Sequence, residues 1–269
     1  MKPSQSIDTS LQQFSVRVPE NSNPFLKTII ERINQDEEVF ALWKIANVNS
    51  IDRLGFSDHG PVHVQIVANS SLRILRILIK NNVEPSIVKD FHLTNHHAEA
   101  IVVTAGLLHD IGMSIHRASH EEFSLVLANP ILHRLFDFFP IAERYIMISE
   151  TLHTIISHRH AGHPFTIEAN VVRVADALDM SSGRSRIPFS LGKVDIHSVS
   201  ALAIEKVEIS EGTTKPIEID IFMNNSAGIF QVDELLKEKL VDSVIQQYIQ
   251  VKAYIKHKTE KKLITEFSI

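Results

Sequence analysis

The chain has 269 residues, enough for one large domain or two moderate ones. With 44% apolar and 22% charged residues it has ample material for a core, and a net charge of -5 without a long basic block argues against a dedicated nucleic-acid binder. There is no cysteine, which excludes disulfides and thiolate metal sites and is in keeping with a reducing cytoplasm. Met1 to Ser15 is polar and lacks the pattern of a signal peptide, and no unbroken apolar run reaches the roughly eighteen residues of a membrane span. A cytoplasmic location is therefore the expectation. The compositional oddity is histidine: there are fifteen, most of them between His59 and His163.

In chain order, residues 1–23 are polar and read as a flexible N-terminus. Asn23 to Val48 reads as helix, in one or two pieces, with Asn23 as cap and Pro24 at the first helical position. Asn47 to Gly60 looks like a loop. A helix then starts near Pro61 and keeps a broad apolar stripe to about Lys80; His59 and His63 share a face if it starts early enough. A turn at Asn81 to Pro85 precedes a short helical piece ending at Phe91. His96 and His97 open the next helix, whose run Ala100 to Leu108 is strongly apolar. Ile111 to Ser119 reads as a bend, and His120 starts a helical run that Pro130 is expected to break or restart.

Residues 141–158 form another helix, stopped by Gly162 and Pro164. Thr166 caps a helix from Ile167 to Met180, with Glu168 in the first turn, where a carboxylate suits the helix dipole. The character changes near Ser181. Val194 to Val199 reads as a short helix, Ala203 to Ser210 and Pro216 to Met223 as strands joined at Glu211 to Lys215, Gln231 to Ser243 as an amphipathic helix, and Gln247 to Ile255 as a last strand. The fold class is thus mainly α: a helical bundle over residues 24–186 followed by a small α+β module over 187–269.

His109 and Asp110 end the most apolar helix of the chain. Two such groups at the end of a core helix need partners, because burying them unpaired is costly. A divalent metal is a natural one, since imidazole suits transition metals and a carboxylate can bridge two ions. Taken alone, a His-Asp pair is more often an ion pair or a helix cap. The other helix starts and ends, however, carry His63, His120, His158 and Asp176 in similar settings.

Three pieces in order, His63-Val-Gln-Ile-Val67-Ala68, Leu107-Leu108-His109-Asp110-Ile111-Gly112 and Val174-Ala175-Asp176-Ala177-Leu178-Asp179, resemble the motifs of the HD superfamily of metal-dependent phosphohydrolases. The resemblance spans about residues 59–180. It implies a helical bundle in which His63, His109, Asp110 and Asp176 bind one metal. It also implies a two-metal version in which Asp110 bridges both ions and further histidines complete the second site. His120 and His158 are the best candidates; His153, His160 and His163 compete with His158, and His97, His116 and His133 are weaker. Met113 stands where many members carry a lysine.

The implied activity is hydrolysis of a phosphate ester or phosphodiester, a nucleotide among the candidates, with Mn, Fe, Mg, Co or Ni as the divalent ions. Asp110 and Arg117 are the expected catalytic residues. Arg117, Arg184 and Arg186 are expected to hold substrate oxygens through forked hydrogen bonds; the plainer alternative for each is a surface arginine. Glu121 and Asp179 are candidates to orient ligand histidines. Two other functions are compatible with the same residues: a diiron oxygenase, and a non-catalytic regulatory protein whose C-terminal module senses a ligand or mediates a homodimer. No phosphate-cradling loop or metal cluster is evident in residues 190–269, so no chemistry is assigned to that module.

Overall fold

Asn23 starts the first helix: its side-chain oxygen accepts from the Phe25 and Leu26 amides, and Pro24 fills the first helical position. In the computed structural model, which describes residues 14–20, 23–159, 162–180, 200–241, 243–255 and 267–268, this helix is α1 (Pro24–Ile33). Asp36 caps α2 (Glu37–Asn47) through the Val39 amide. The stretch expected to be a loop continues the winding as a π-helical turn, Val48–Arg53. Asn49 in that turn donates its side-chain amide to the carbonyls of Met113 and Ser114 at 2.8 and 2.9 Å. A distant anchor of this kind leaves no trace in local sequence. Gly60 follows, and a β-carbon there would overlap the Asn47 side chain, whose oxygen accepts from the His59 amide.

The α3 helix (Pro61–Lys80) begins at its proline, as expected. It is the one described helix long and apolar enough to cross a membrane by length and composition, but its apolar residues Val64, Val67, Leu72, Leu75 and Leu78 are core. After α4 (Ser86–Phe91), Thr94 and His97 form a capping box at the start of α5 (Asn95–Leu108). The α5 helix is buried from His97 to Leu108, as an all-round apolar helix must be. Gly106 lets α3 approach, since a β-carbon there would lie 3.0 Å from the Ala68 Cα. The Leu107 carbonyl, near the helix end, accepts from the Trp43 indole at 2.9 Å.

A 3-10 turn, Ile111–Ser114, leads to α6 (His120–Leu135). Pro130 does not break α6. The bond it forfeits is the one to the Val126 carbonyl, and both residues are exposed, so water meets that carbonyl. Helices α7 (Ile141–Ser157) and α8 (Ile167–Leu178) close the bundle. Thr166 caps α8 through the Ala169 amide, and Glu168 in its first turn also serves α4: its carboxylate accepts from the Ser86 and Ile87 amides. Ser86 answers by accepting from the Ile167 amide at 2.9 Å.

The remaining chain forms a four-stranded sheet among the described residues, in the order β1 (Ile204–Glu211), β2 (Ile217–Met223), β3 (Ile249–Ile255) and β4 (Phe267–Ser268). The β1–β2 hairpin is antiparallel, β2 and β3 are parallel, and β4 is a two-residue strand beyond the expected set. Along β2 the alternation holds: Ile217, Ile219, Ile221 and Met223 are buried between half-buried neighbours. The crossover from β2 to β3 was expected as one helix to Ser243. It is a π-helical segment, Gln231–Leu236, followed by one turn, α9 (Lys237–Leu240). Sheet residues such as Ile209, Ile217 and Val251 belong to one apolar cluster with the bundle core. The expected short helix at Val194 to Val199 lies outside the described residues.

Two features of this scaffold are open to test. A β-carbon on Gly112 would overlap the His120 carbonyl oxygen and crowd the Ser124 amide. Gly112→Ala should therefore cost about 2–3 kcal/mol, the upper range for overpacking, in a urea titration; wild-type stability would show that the start of α6 shifts freely. Glu150, half-buried on α7, is raised to about 7 by burial, then by the charges of Glu168 and Asp90. Its carboxyl binds a proton more tightly folded than unfolded, so stability is lost as pH rises from about 4.5 to 7. Glu150→Gln should melt with the wild type at pH 4.5 and above it at pH 8, by roughly 1 kcal/mol once solvent screening is allowed for. A difference that does not change with pH would refute that assignment.

Candidate metal centre

Six of the residues that the sequence pattern singles out, His63, His109, Asp110, His120, His158 and Asp176, come together in the bundle. Asp110, at the end of α5, is the hub, and its two oxygens face different pairs of rings. Oδ2 lies 3.2 Å from His63 Nε2 and 3.3 Å from His109 Nε2. Oδ1 lies 3.2 Å from His120 Nε2 and 3.6 Å from His158 Nε2. Asp176 on α8 joins the first pair, with Oδ1 3.4 Å from His63 Nε2 and 3.7 Å from His109 Nε2.

The other nitrogen of each ring is held from behind. His63 Nδ1 is 2.6 Å from Asp179 Oδ2. His109 Nδ1 faces the Gly106 carbonyl at 2.8 Å, and His158 Nδ1 the Ile155 carbonyl at 2.6 Å. His120 Nδ1 faces the Arg117 carbonyl at 2.9 Å and Glu121 Oε2 at 3.1 Å. Each partner is an acceptor oxygen that an Nδ1 proton can meet, so each Nε2 is left to face the carboxylates, where it can share a proton or offer a lone pair to a cation.

That arrangement fits a cation. The Nε2 atoms of His63 and His109 are 3.2 Å apart, a separation that two facing lone pairs tolerate only with a proton or a metal ion between them. The Nε2 of buried His158 has no hydrogen-bond partner among the described residues. Three groups have ligand atoms mutually within 4.8 Å: His63, His109 and Asp176; His109, Asp110 and His158; His120, Glu121 and His158. They could hold a metal ion, and the donor set of imidazole and carboxylate, free of thiolate, suits a borderline or hard divalent ion.

The protonation balance says the same. Burial would push the His109 imidazole down, but Asp110 and then Asp176 outweigh it and raise it to about 9. Burial would raise Asp110 and Asp176; instead His109, with His120 and His158, holds Asp110 well below the usual carboxylate range, and His109 with His63 does so for Asp176. His120 is raised by Asp110 and Glu121 against the effect of burial. His158 is lowered, by burial and by the charge on His109, against Asp110. The centre thus keeps two buried carboxylates ionised by holding protons, and a cation could take the protons' place.

A family profile for the HD domain matches residues 61–181. A protein of Methanocaldococcus jannaschii, called Uncharacterized protein MJ1020, is 41% identical over 244 residues, which is 90% of this chain and 93% of that protein. The chain belongs to the HD family. The HD segment contains every one of the converging residues, from His63 to Asp176, and the HD domain is typical of metal-dependent phosphohydrolases that bind divalent ions.

Among the competing histidines, the geometry brings His158 to Asp110. His153 instead stacks on Phe165 with ring centroids 3.7 Å apart, and His163 is exposed; His160 lies outside the described residues. His97 is occupied by the α5 cap and by Glu143 at 2.9 Å, His133 packs edge-on against Tyr145, and His116 is exposed and accepts from the Ala118 amide. Arg117 is exposed, with its guanidinium carbon 4.4 Å from the Phe56 ring centroid. Arg184 and Arg186 lie outside the described residues. Met113 is fully buried, so the turn after the HD pair offers no cation at that position. The C-terminal module carries no metal or phosphate motif in its sequence, yet Lys239 of α9 donates to the carbonyl of His158. Nothing in the local sequence around Lys239 signals this.

Asp179→Ala should leave His63 Nδ1 without its partner and weaken metal binding by about 10–100-fold, the usual cost of losing such support. Calorimetric titration of the stripped protein with Mn2+ would measure it, and wild-type affinity would show that His63 is oriented by packing alone.

Proposed function

We propose that this HD-domain protein hydrolyses a phosphate ester or phosphodiester, a nucleotide among the candidate substrates. In this reading His63, His109, Asp110 and Asp176 hold one divalent ion, and Asp110, His120 and His158 hold a second. The observation that carries it is the division of labour at Asp110, whose two oxygens each face a separate pair of imidazole nitrogens. A carboxylate serving a single ion would not need its second oxygen so provided for. Glu121, close to both His120 and His158, can complete or support the second set.

When bound, divalent ions in such a centre supply Lewis acidity and make a nucleophile of water near neutral pH. The protein's own part is positional. The oxygens behind each Nδ1 keep the rings from rotating and hold the tautomer that turns Nε2 inward. Phosphoryl transfer spreads negative charge over the transferring oxygens, so fixed positive groups around the centre lower the barrier. Arg117, whose carbonyl faces His120 and whose guanidinium lies over Phe56, is assigned that role, with Arg184 and Arg186 of the segment that follows α8. The same reading divides the chain into a metal-binding domain over 24–186 and a smaller module over 187–269.

Asp110→Ala removes the shared ligand. Release of inorganic phosphate from a panel of nucleotides and phosphate esters should then fall to background, as it should when the wild type is stripped with a chelator, and only the wild type should recover on adding Mn2+. Activity that survives in Asp110→Ala would rule the proposal out. Oxygen uptake by iron-loaded wild type without phosphate release would favour a diiron oxygenase.

A further inference from the structure

Lys239 lies on α9, in the crossover between β2 and β3, and its ammonium donates to the carbonyl of His158, 81 residues earlier. That carbonyl belongs to the residue whose ring faces Asp110. Its placement is fixed from two sides: Leu236 and Leu240 are buried in the core, and Ser243 just beyond donates to the Asn170 side chain of α8 at 2.8 Å. The α8 helix is the one that carries Asp176.

The half-buried ammonium is only partly satisfied. It has three N–H donors, and among the described residues the His158 carbonyl is its one hydrogen-bond partner, with no carboxylate within ion-pair distance. Lys80, Lys206, Lys237 and Lys252 by contrast each pair with a carboxylate. The ammonium thus sits against the backbone of His158 with donors to spare.

A lysine that answers the exposed carbonyls of a helix end is common. Such a lysine ordinarily comes from the last turn itself and lies in water. This one reaches in from another part of the fold and is half-buried, where a charge with no counter-charge in contact is costly. An anion bound at the metal centre would supply that counter-charge. A compact ammonium with rotatable donors suits a phosphoryl oxygen.

We propose that Lys239 binds an oxygen of the substrate's phosphoryl group, so that the C-terminal module completes the substrate site of the HD domain. This rests on the phosphohydrolase reading above. The test uses the full chain loaded with Mn2+ and inorganic phosphate as the probe. Phosphate affinity is measured by calorimetry and metal content by elemental analysis, for the wild type, Lys239→Met and Lys239→Gln. Both variants should retain the wild-type metal content and bind phosphate about tenfold or more weakly, as loss of a charged hydrogen bond implies. Unchanged phosphate affinity in either variant that folds would overturn the proposal and leave Lys239 as a helix-end contact. Loss of metal in the variants would also overturn it, making Lys239 a support for His158. A metal-loaded wild type that binds no phosphate would instead bring down the phosphohydrolase reading itself.

Discussion

The constraint on which this structure turns is the burial of the Asp110 carboxylate at the closed end of an apolar helix. A lone charge there would be prohibitively costly, and the protein meets the cost by surrounding it with the imidazole of its neighbour His109 and three more from other helices, at 3.2 to 3.6 Å. Asp176 adds a second carboxylate to the same space. Two carboxylates and four imidazoles make a net negative pocket unless protons or metal ions enter. The electrostatics of the centre and its fit to cations follow from that one placement.

The scaffold can be understood as the means of holding those rings. The α3 and α5 helices come close enough for His63 and His109 to meet because Gly106 has no side chain toward Ala68. The α6 helix starts where it does because Gly112 allows the His120 carbonyl to lie against it, and the Gly112 amide is bound by Ser124 at 2.8 Å. The π-helical turn after α2 is tied to the turn after Asp110 by Asn49. Unusual helical turns gather at functional sites because a local irregularity can aim a particular group. Here it aims a side-chain amide at the turn that follows Asp110.

Much of this was legible in the sequence, for physical reasons. Asn23, Pro24, Pro61 and Thr166 act locally, through caps and fixed dihedrals, so the helix starts could be read directly. The strict alternation of β2 and the unbroken apolarity of Ala100 to Leu108 announced a half-buried strand and a core helix. The three motifs named the family and placed His63, His109, Asp110 and Asp176 together. What escaped depended on distant partners or on solvent. The turn at Val48–Arg53 is held by carbonyls more than sixty residues away. Pro130 is tolerated because its helix face is wet. His158 could not be separated from His153 by spacing alone; the end of α7 decides, turning one toward Asp110 and the other onto Phe165. Lys239 reaches His158 only through the packing of the sheet module on the bundle.

The donors of the centre come from five separate places along the chain: α3, the end of α5, the start of α6, the end of α7 and α8. No contiguous stretch holds enough of them to grip an ion, so the disordered chain has little affinity for one. The pocket comes into being only after the long-range helix contacts have formed, at the slow, high-contact-order stage of folding. Any ion that binds there selects the assembled bundle over the unfolded ensemble, and its free energy of association is added to the stability of all five segments at once. The availability of metal in the cell would in that way set the lifetime of the folded protein as well as the state of its centre.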